Sequence, residues 1–396
     1  MQDVTIDNNL NQTILTDSSA RETVACADSG DKFRIQIFGK DDIAVVFELW
    51  RKLESQFASF PLMCSADWTE TWFNCYQETI NTHFVAGFDG DKICGICLVT
   101  ESTSHRIGPL TVRSLHLGTA GEANGESVCV EYNQILCEPR FESRFLLELQ
   151  KFILDKEDWD RVQLDGIPCG SDQVWPDFLH TKKSVRVRES RYFDLDHCRE
   201  NGSDILAMLG KSTRSNIKRR IKKLGEFEVQ WAQTCEQAVD IFNELIQLHQ
   251  QRWQNQGQPG AFASDRFTKF QKQLIEKLLP QQKVVLCRIK AGEQTVGCLY
   301  LLVDGRRMLD YVSGLASFES IPSSGLISHY LCMNEALNRG YQAYDFLVGD
   351  KRHKENLGKS SNQLQWVICE RNRAIFGLRN MALQAKHLIK RIVKKS

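Results

Sequence analysis

Apolar and polar positions divide the chain into two halves of like order. Phe33-Arg-Ile-Gln-Ile-Phe38 alternates as a strand does, and Asp41 to Ser55 brings Ile43, Val46, Phe47 and Trp50 onto one helix face. Trp68 and Trp72, four apart, predict a second helix with both indoles in the core. His83 to Phe88 and Ile93 to Thr100 flank the turn Asp89-Gly90-Asp91 and read as a hairpin. A strand at Ser114 to Leu117, a Gly-rich loop, a helix from Phe141 to Leu154 and a strand from Arg161 to Asp165 follow.

The second half repeats this order. Val284 to Lys290 and Thr295 to Val303 flank Ala291-Gly292-Glu293, and Met308 to Ser313 returns beside them. A helix of about Ser324 to Arg339 and the strand Ala343 to Val348 complete it. Such a weak internal duplication predicts an α/β (α+β) fold of two tandem modules, each a mixed, mostly antiparallel sheet with flanking helices. The expected divisions are a disordered tail over 1–31, a first module over 32–200, a second over 201–373 and a basic amphipathic helix over 374–396.

Length and charge narrow the function classes. At 396 residues the chain exceeds one ordinary core. Fifty basic and fifty acidic residues cancel, so no global field attracts nucleic acid, and DNA is not an expected partner. The fourteen cysteines are scattered, no apolar signal segment precedes them, and no run of eighteen apolar residues exists. A reducing, cytoplasmic setting is expected. Cys94-Gly-Ile-Cys97 lies in a strand pattern, where i and i+3 face opposite sides, and no second pair completes a zinc set. No metal is expected.

Two Gly-Lys-Ser triplets, at Gly210 and Gly358, lack the glycine five residues earlier that a phosphate loop needs; Ile205 and His353 stand there. No G-x-S-x-G elbow and no G-x-G-x-x-G turn follows a strand. Lys211 to Lys223 holds seven basic residues in thirteen and no acid, with Ser212 as candidate cap and Gly225 as stop. It reads either as a solvated helix face or as a phosphate-binding helix with Arg214 nearest its N-terminus.

The unit from Met308 to Gly358 carries the most chemistry. Leu309-Asp-Tyr-Val-Ser-Gly-Leu315 is a strand whose Gly314 lets backbone approach a ligand. Ile321-Pro-Ser-Ser-Gly-Leu326 opens a helix, with Ser323 or Ser324 as cap and Gly325 leaving amides uncovered, a receptor for a pyrophosphate. Asp345 sits in an apolar strand, where a carboxylate is costly unless paired or used. Asp350, Lys351, Arg352, His353 and Lys354 follow at the strand's C-terminal end, where α/β sheets place ligands.

The order strand, Gly, loop, Ser-Gly, helix, Gly, then Tyr-Asp-Phe-Leu-x-Gly-Asp with a Lys four residues on, resembles the GNAT superfamily of N-acyltransferases. It is most similar to the branch holding cellulose-biosynthesis-associated acetyltransferase-like proteins and the Fem aminoacyltransferases. The similarity extends from about Phe33 to Ile368 and includes Trp68 to Trp72, the basic helix and Arg252-Trp253. In place of the superfamily's Q/R-x-x-G-x-G/A loop the chain has Glu319-Ser-Ile-Pro-Ser-Ser-Gly325.

The resemblance implies transfer of an acyl group from acetyl-CoA or another acyl-CoA to an amine, with an amino sugar of envelope or exopolysaccharide metabolism as the expected acceptor. Val312, Ser313 and Gly314 would hold the donor's arm, and Ser323, Ser324 and Gly325 its phosphates. Asp345, Asp350 or His353 would take the amine's proton, Asp345 first among them. Tyr311 would protonate the leaving thiolate, Lys354 and Arg214 would hold acceptor charge, and Trp253 would stack at a mobile lip. Two rivals stand beside this reading: a Fem-like transferase using charged tRNA, and a non-catalytic module binding sugar or protein. The helix from Ile375 to Val393 would either rest on an anionic membrane surface or pack on the domain with its cations at the dipole's end.

Overall fold

The computed structural model describes residues 33–170, 181–374, 376 and 377. The expected tail lies outside these residues, as does the C-terminal amphipathic helix apart from 374, 376 and 377. The first half runs β1 (Phe33–Phe38), α1 (Ile43–Glu54), α2 (Ala66–Tyr76), β2 (Asn81–Asp89), β3 (Lys92–Ile107), β4 (Leu110–Leu117), β5 (Leu136–Cys137), α3 (Glu142–Asp155), β6 (Arg161–Pro168) and β7 (Thr181–Asp194). Short helices α4 (Leu195–Glu200) and α5 (Ile205–Met208) lead to α6 (Lys211–Leu224). The second half continues with β8 (Phe227–Trp231), α7 (Cys235–Gln254), α8 (Asp265–Leu278), β9 (Val284–Ala291), β10 (Gln294–Asp304) and β11 (Arg307–Leu315). It ends with α9 (Ser324–Asn338), β12 (Ala343–Val348), α10 (Arg352–Leu357) and β13 (Ser360–Arg371).

Both hairpins form where turn chemistry predicts them: Gly90 and Gly292 adopt positive φ between β2 and β3 and between β9 and β10. The duplication is topological. β1-β2-β3-β4 are antiparallel neighbours and β4 pairs β6 in parallel; β8-β9-β10-β11 repeat the series and β11 pairs β12 in parallel. The fold is therefore the expected mixed α/β one, with a mostly antiparallel sheet between helices.

The joint between the halves has no forerunner in the sequence pattern. β7, the last strand of the first half, pairs with β12 of the second. β13, the last of the second, pairs with β6 of the first, and pairs along its whole length with β7 from Thr181 to Tyr192. Each half thus lends its final strand to the other, and the two sheets become one. Trp68 and Trp72 are fully buried as expected, but in a core shared by both halves: Trp68 meets Phe270 of α8 edge-on at 5.1 Å.

The basic helix α6 forms from Lys211 to Gly225, which closes it at φ 84°. Gly210, not Ser212, occupies its N-cap, with no side-chain cap bond. Ile217 and Ile221 face the core, leaving Lys211, Lys218, Arg219, Lys222 and Lys223 exposed, the amphipathic solution its spacing dictates.

Candidate functional site

β11 and β12 run in parallel only from Arg307 and Ala343 to Leu309 and Asp345, then diverge. β11 also carries a bulge: Tyr300 of β10 pairs Val312 and Leu301 pairs Asp310, leaving Tyr311 as the extra residue. From Asp310 onward the β12-facing edge of β11 has no strand partner among the described residues. That opening, beside the start of α9, is the candidate site.

The first turn of α9 lines one approach. Ser323 takes the N-cap in the left-handed conformation (φ 67°), yet its side chain makes no cap bond. Ser324 Oγ donates to Ala316 O at 2.8 Å, tying the loop back to the end of β11. The amides of Gly325 and Leu326 have no acceptor among the described residues, and the turn contains no acid, so its positive end is not neutralised by the helix itself.

Packing places a demand of its own on both glycines of the expected donor site. A Cβ on Gly314 would lie 2.3 Å from Leu245 O, so this glycine lets α7 press against β11. A Cβ on Gly325 would meet Leu315 Cδ1 at 3.0 Å. Val312 is buried and pairs with Tyr300, while Ser313 is half-buried opposite Leu299.

Asp345 is wholly buried and saturated. Its Oδ1 accepts from Ser190 Oγ and the Leu347 amide, both at 2.7 Å. Its Oδ2 accepts from Tyr132 OH at 2.6 Å and pairs with the Arg307 guanidinium. Arg307 also lies 4.6 Å over the Tyr132 ring, and Asn362 of β13 donates to the same phenol at 3.1 Å. With each oxygen accepting two hydrogens, the carboxylate is a structural knot between the halves, and the lone pair a base requires is already used.

Several other expected site residues are likewise engaged. Tyr311 donates its hydroxyl to Val128 O at 2.7 Å and accepts from Gln271 at 3.1 Å; burial pushes its pKa well up, which suits a tether better than an acid near neutrality. Asp350 is exposed and pairs with Arg188 of β7 at 2.8 Å. Lys354 is buried and donates to Leu347 O at 3.2 Å and Val348 O at 3.0 Å, a strut at the end of β12. Trp253 does reach the cluster: it is half-buried, and Lys351 Nζ lies 5.6 Å from its ring. Arg214 sits half-buried in the first turn of α6, and Ile217 and Ile221 share a core with α9 residues Leu326 and Ile327.

Glu131, Asp310 and His329, which the sequence pattern did not single out, complete the site. The loop from Val128 to Tyr132, a first-half segment, bridges the opening: Val128 O meets Tyr311 of β11, and Glu131 Oε2 accepts the Val348 amide of β12 at 2.8 Å. Burial raises the Glu131 carboxyl to about 7, against the Val348 amide and the Lys354 charge, which pull it down. Its Oε1 has no hydrogen-bond partner among the described residues. On the α9 side, Asp310, His329 and His353 converge, with the two imidazoles stacked at 4.5 Å. Asp310 breaks the apolar run of β11 as Asp345 breaks that of β12, so the same criterion finds it; Glu131 stands in a loop with no such mark.

Residues 211–355 match the model of the acetyltransferase (GNAT) domain. No curated protein matches the chain. Among solved structures, FemX aligns over 81% of this chain and 95% of its own, at 11% identity and a TM-score of 0.52. The C-terminal domain of a putative lysylphosphatidylglycerol synthetase from Agrobacterium fabrum aligns over 86% of this chain and 96% of its own, at 12% identity and a TM-score of 0.50. At these identities the likeness is one of fold. The second half thus contains a segment similar to the GNAT domain, within the mixed α/β fold described above.

Proposed function

We propose that the chain is an N-acyltransferase that moves an acyl group from acyl-CoA to the amine of a small acceptor, an amino sugar or a related envelope precursor. The observation that carries this reading is the divergence of β11 and β12 beside the uncovered first turn of α9, inside the segment that matches the GNAT domain. A thioester arm laid along the free edge of β11 would exchange backbone hydrogen bonds with it. The donor's phosphates would meet the amides of Gly325 and Leu326.

Transfer requires an unprotonated amine, so a base must stand where acceptor and thioester meet. Glu131 fits this role better than Asp345. Its carboxyl, raised to about 7, matches the working pH, and Oε1 is available for a proton. The amine nitrogen attacks the thioester carbon, its proton passes to Glu131, and the carbon–sulfur bond breaks to release the thiolate, which takes a proton from water while Glu131 returns its own to solvent.

The test is direct. Purified protein is incubated with acetyl-CoA and a panel of amino sugars, and acceptor mass is read by mass spectrometry. A gain of one acetyl group supports the reading; no transfer with any acyl-CoA, together with no acyl-CoA binding by calorimetry, overturns it. A second reading, transfer from charged tRNA, is favoured by the exposed cations of α6 alongside α9. Donor binding that weakens steeply with salt would select it.

A further inference from the structure

Three polar side chains converge behind the opening, and their facing atoms make no hydrogen bond to one another. Asp310 Oδ2 lies 3.6 Å from His329 Nε2 and 4.0 Å from His353 Nε2. Asp310 Oδ1, His329 Nε2 and His353 Nε2 are all buried, and none has a hydrogen-bond partner. His329 is wholly buried, and its Nδ1 is 3.0 Å from Tyr344 OH. In the tautomer that donates from Nδ1 to this hydroxyl, Nε2 carries the lone pair and lies 3.6 Å from Asp310 Oδ2. Unpaired acceptors packed this closely repel one another unless something positive lies between them.

A proton does not resolve this arrangement. The carboxylate lies 3.6 and 4.0 Å from the two nitrogens, beyond hydrogen-bond length, so a proton on either imidazole nitrogen makes no bond to it. Lys354 does not bond them either: its ammonium donates to Leu347 O and Val348 O, and its charge acts on Asp310 only through space. A metal ion would satisfy all three acceptors together. Two ligand atoms about 2.1 Å from a tetrahedral ion lie about 3.4 Å apart, close to the separations observed.

We propose that Asp310, His329 and His353 form a binding site for one divalent transition metal ion of the zinc type. Two imidazoles and one carboxylate are a donor set that such ions favour, and magnesium and calcium do not. Tyr344 acts as the outer partner that fixes the His329 tautomer, the usual companion of a ligating histidine. Three protein ligands leave a fourth position for water or a ligand atom. The three residues come from β11, α9 and α10, so the ion would also pin α10 against the sheet. This donor set is unrelated to Cys94 and Cys97, on which the expectation of no metal rested.

The experiment uses the full chain, stripped with chelator and titrated with Co2+ while its visible spectrum is followed. One equivalent with nitrogen and oxygen ligand-field bands, displaced by Zn2+, is expected. Asp310→Asn and His353→Gln should each weaken binding by about 100-fold or more, and Tyr344→Phe by about 10-fold. Wild-type protein that takes up no Co2+ overturns the proposal. So does uptake unchanged in both ligand variants, or a thiolate charge-transfer band, which would point to exposed Cys129 or Cys235. Anomalous scattering from zinc-soaked wild-type crystals decides the matter if the variants lose their fold: density among the three side chains supports the site, and its absence there overturns it. Neither readout depends on acyl transfer.

Discussion

Asp345 accepts the phenolic hydroxyl of Tyr132 at 2.6 Å across 213 residues of sequence, and the Arg307 guanidinium joins both. The contact links the loop of one half to the innermost strand of the other, next to the place where β7 and β13 cross over. Removing one member of a buried, hydrogen-bonded ion pair leaves the other uncompensated. Asp345→Asn should therefore lower unfolding free energy by about 3 kcal/mol or more. Urea denaturation measures this. A variant of wild-type stability whose turnover alone collapses would return Asp345 to the role of base.

Glu131→Gln keeps the size of the side chain and removes its basicity. Under the proposed function kcat should fall about 10²- to 10⁴-fold. The rise of rate with pH near 7, which follows from the raised carboxyl, should vanish with it. Acyl-CoA affinity should change little. Rates and a pH profile measured on both proteins check the three statements, and a variant with an intact rising limb would remove Glu131 from the chemistry.

The parts of this architecture that were legible in the sequence are those set by local signals. Turn glycines mark both hairpins, and apolar spacing marks α1, α6 and α9. β7 and β13 escape such reading. Lys182-Lys183-Ser-Val-Arg-Val-Arg188 is dense in charge, and Val185 and Val187 remain about half exposed. Its strand character comes from pairing with residues nearly two hundred positions away, a term that no local window contains. The site shows the same division. The Asp345 region was visible as a charge in an apolar strand, but its four donors come from β7, β11, β12 and a first-half loop.

Glu122 offers a test of burial by pH. It accepts from Trp72 Nε1 at 2.7 Å, and burial raises its carboxyl to about 7. A carboxyl with a raised folded pKa binds its proton more tightly when folded. Its contribution is therefore fully present below the unfolded value near 4.5 and is lost as pH climbs through 7. Glu122→Gln should match the wild type at pH 4 and exceed it by on the order of 2–3 kcal/mol at pH 8. Thermal melts at the two pH values suffice; a constant difference would show that the carboxyl is not strained by burial.

Tyr311→Phe separates a tether from an acid. The hydroxyl's bonds to Val128 and Gln271 hold the first-half loop against β11. Their loss should cost about 1–2 kcal/mol of stability. If the phenol protonated a leaving thiolate, kcat for poor leaving groups should fall far more than for good ones. The expected result is an equal, small effect on both, read from turnover with acyl-CoA and with an activated thioester.

Gly314→Ala and Gly325→Ala distinguish packing from ligand approach at two glycines of the candidate site. At 314 the new methyl would meet the backbone of Leu245, 2.3 Å from its oxygen, and a helix backbone cannot move aside as a side chain can. Overpacking of this kind costs about 3 kcal/mol, and here α7 would have to lift from β11. At 325 the neighbour is the tip of Leu315, 3.0 Å away, which can rotate. Gly314→Ala should thus melt well below the wild type with or without acyl-CoA. Gly325→Ala should keep its melting temperature while losing donor affinity, because the methyl crowds the open amides of α9. Equal melting temperatures for the two variants would show that α7 does not press on β11 as described.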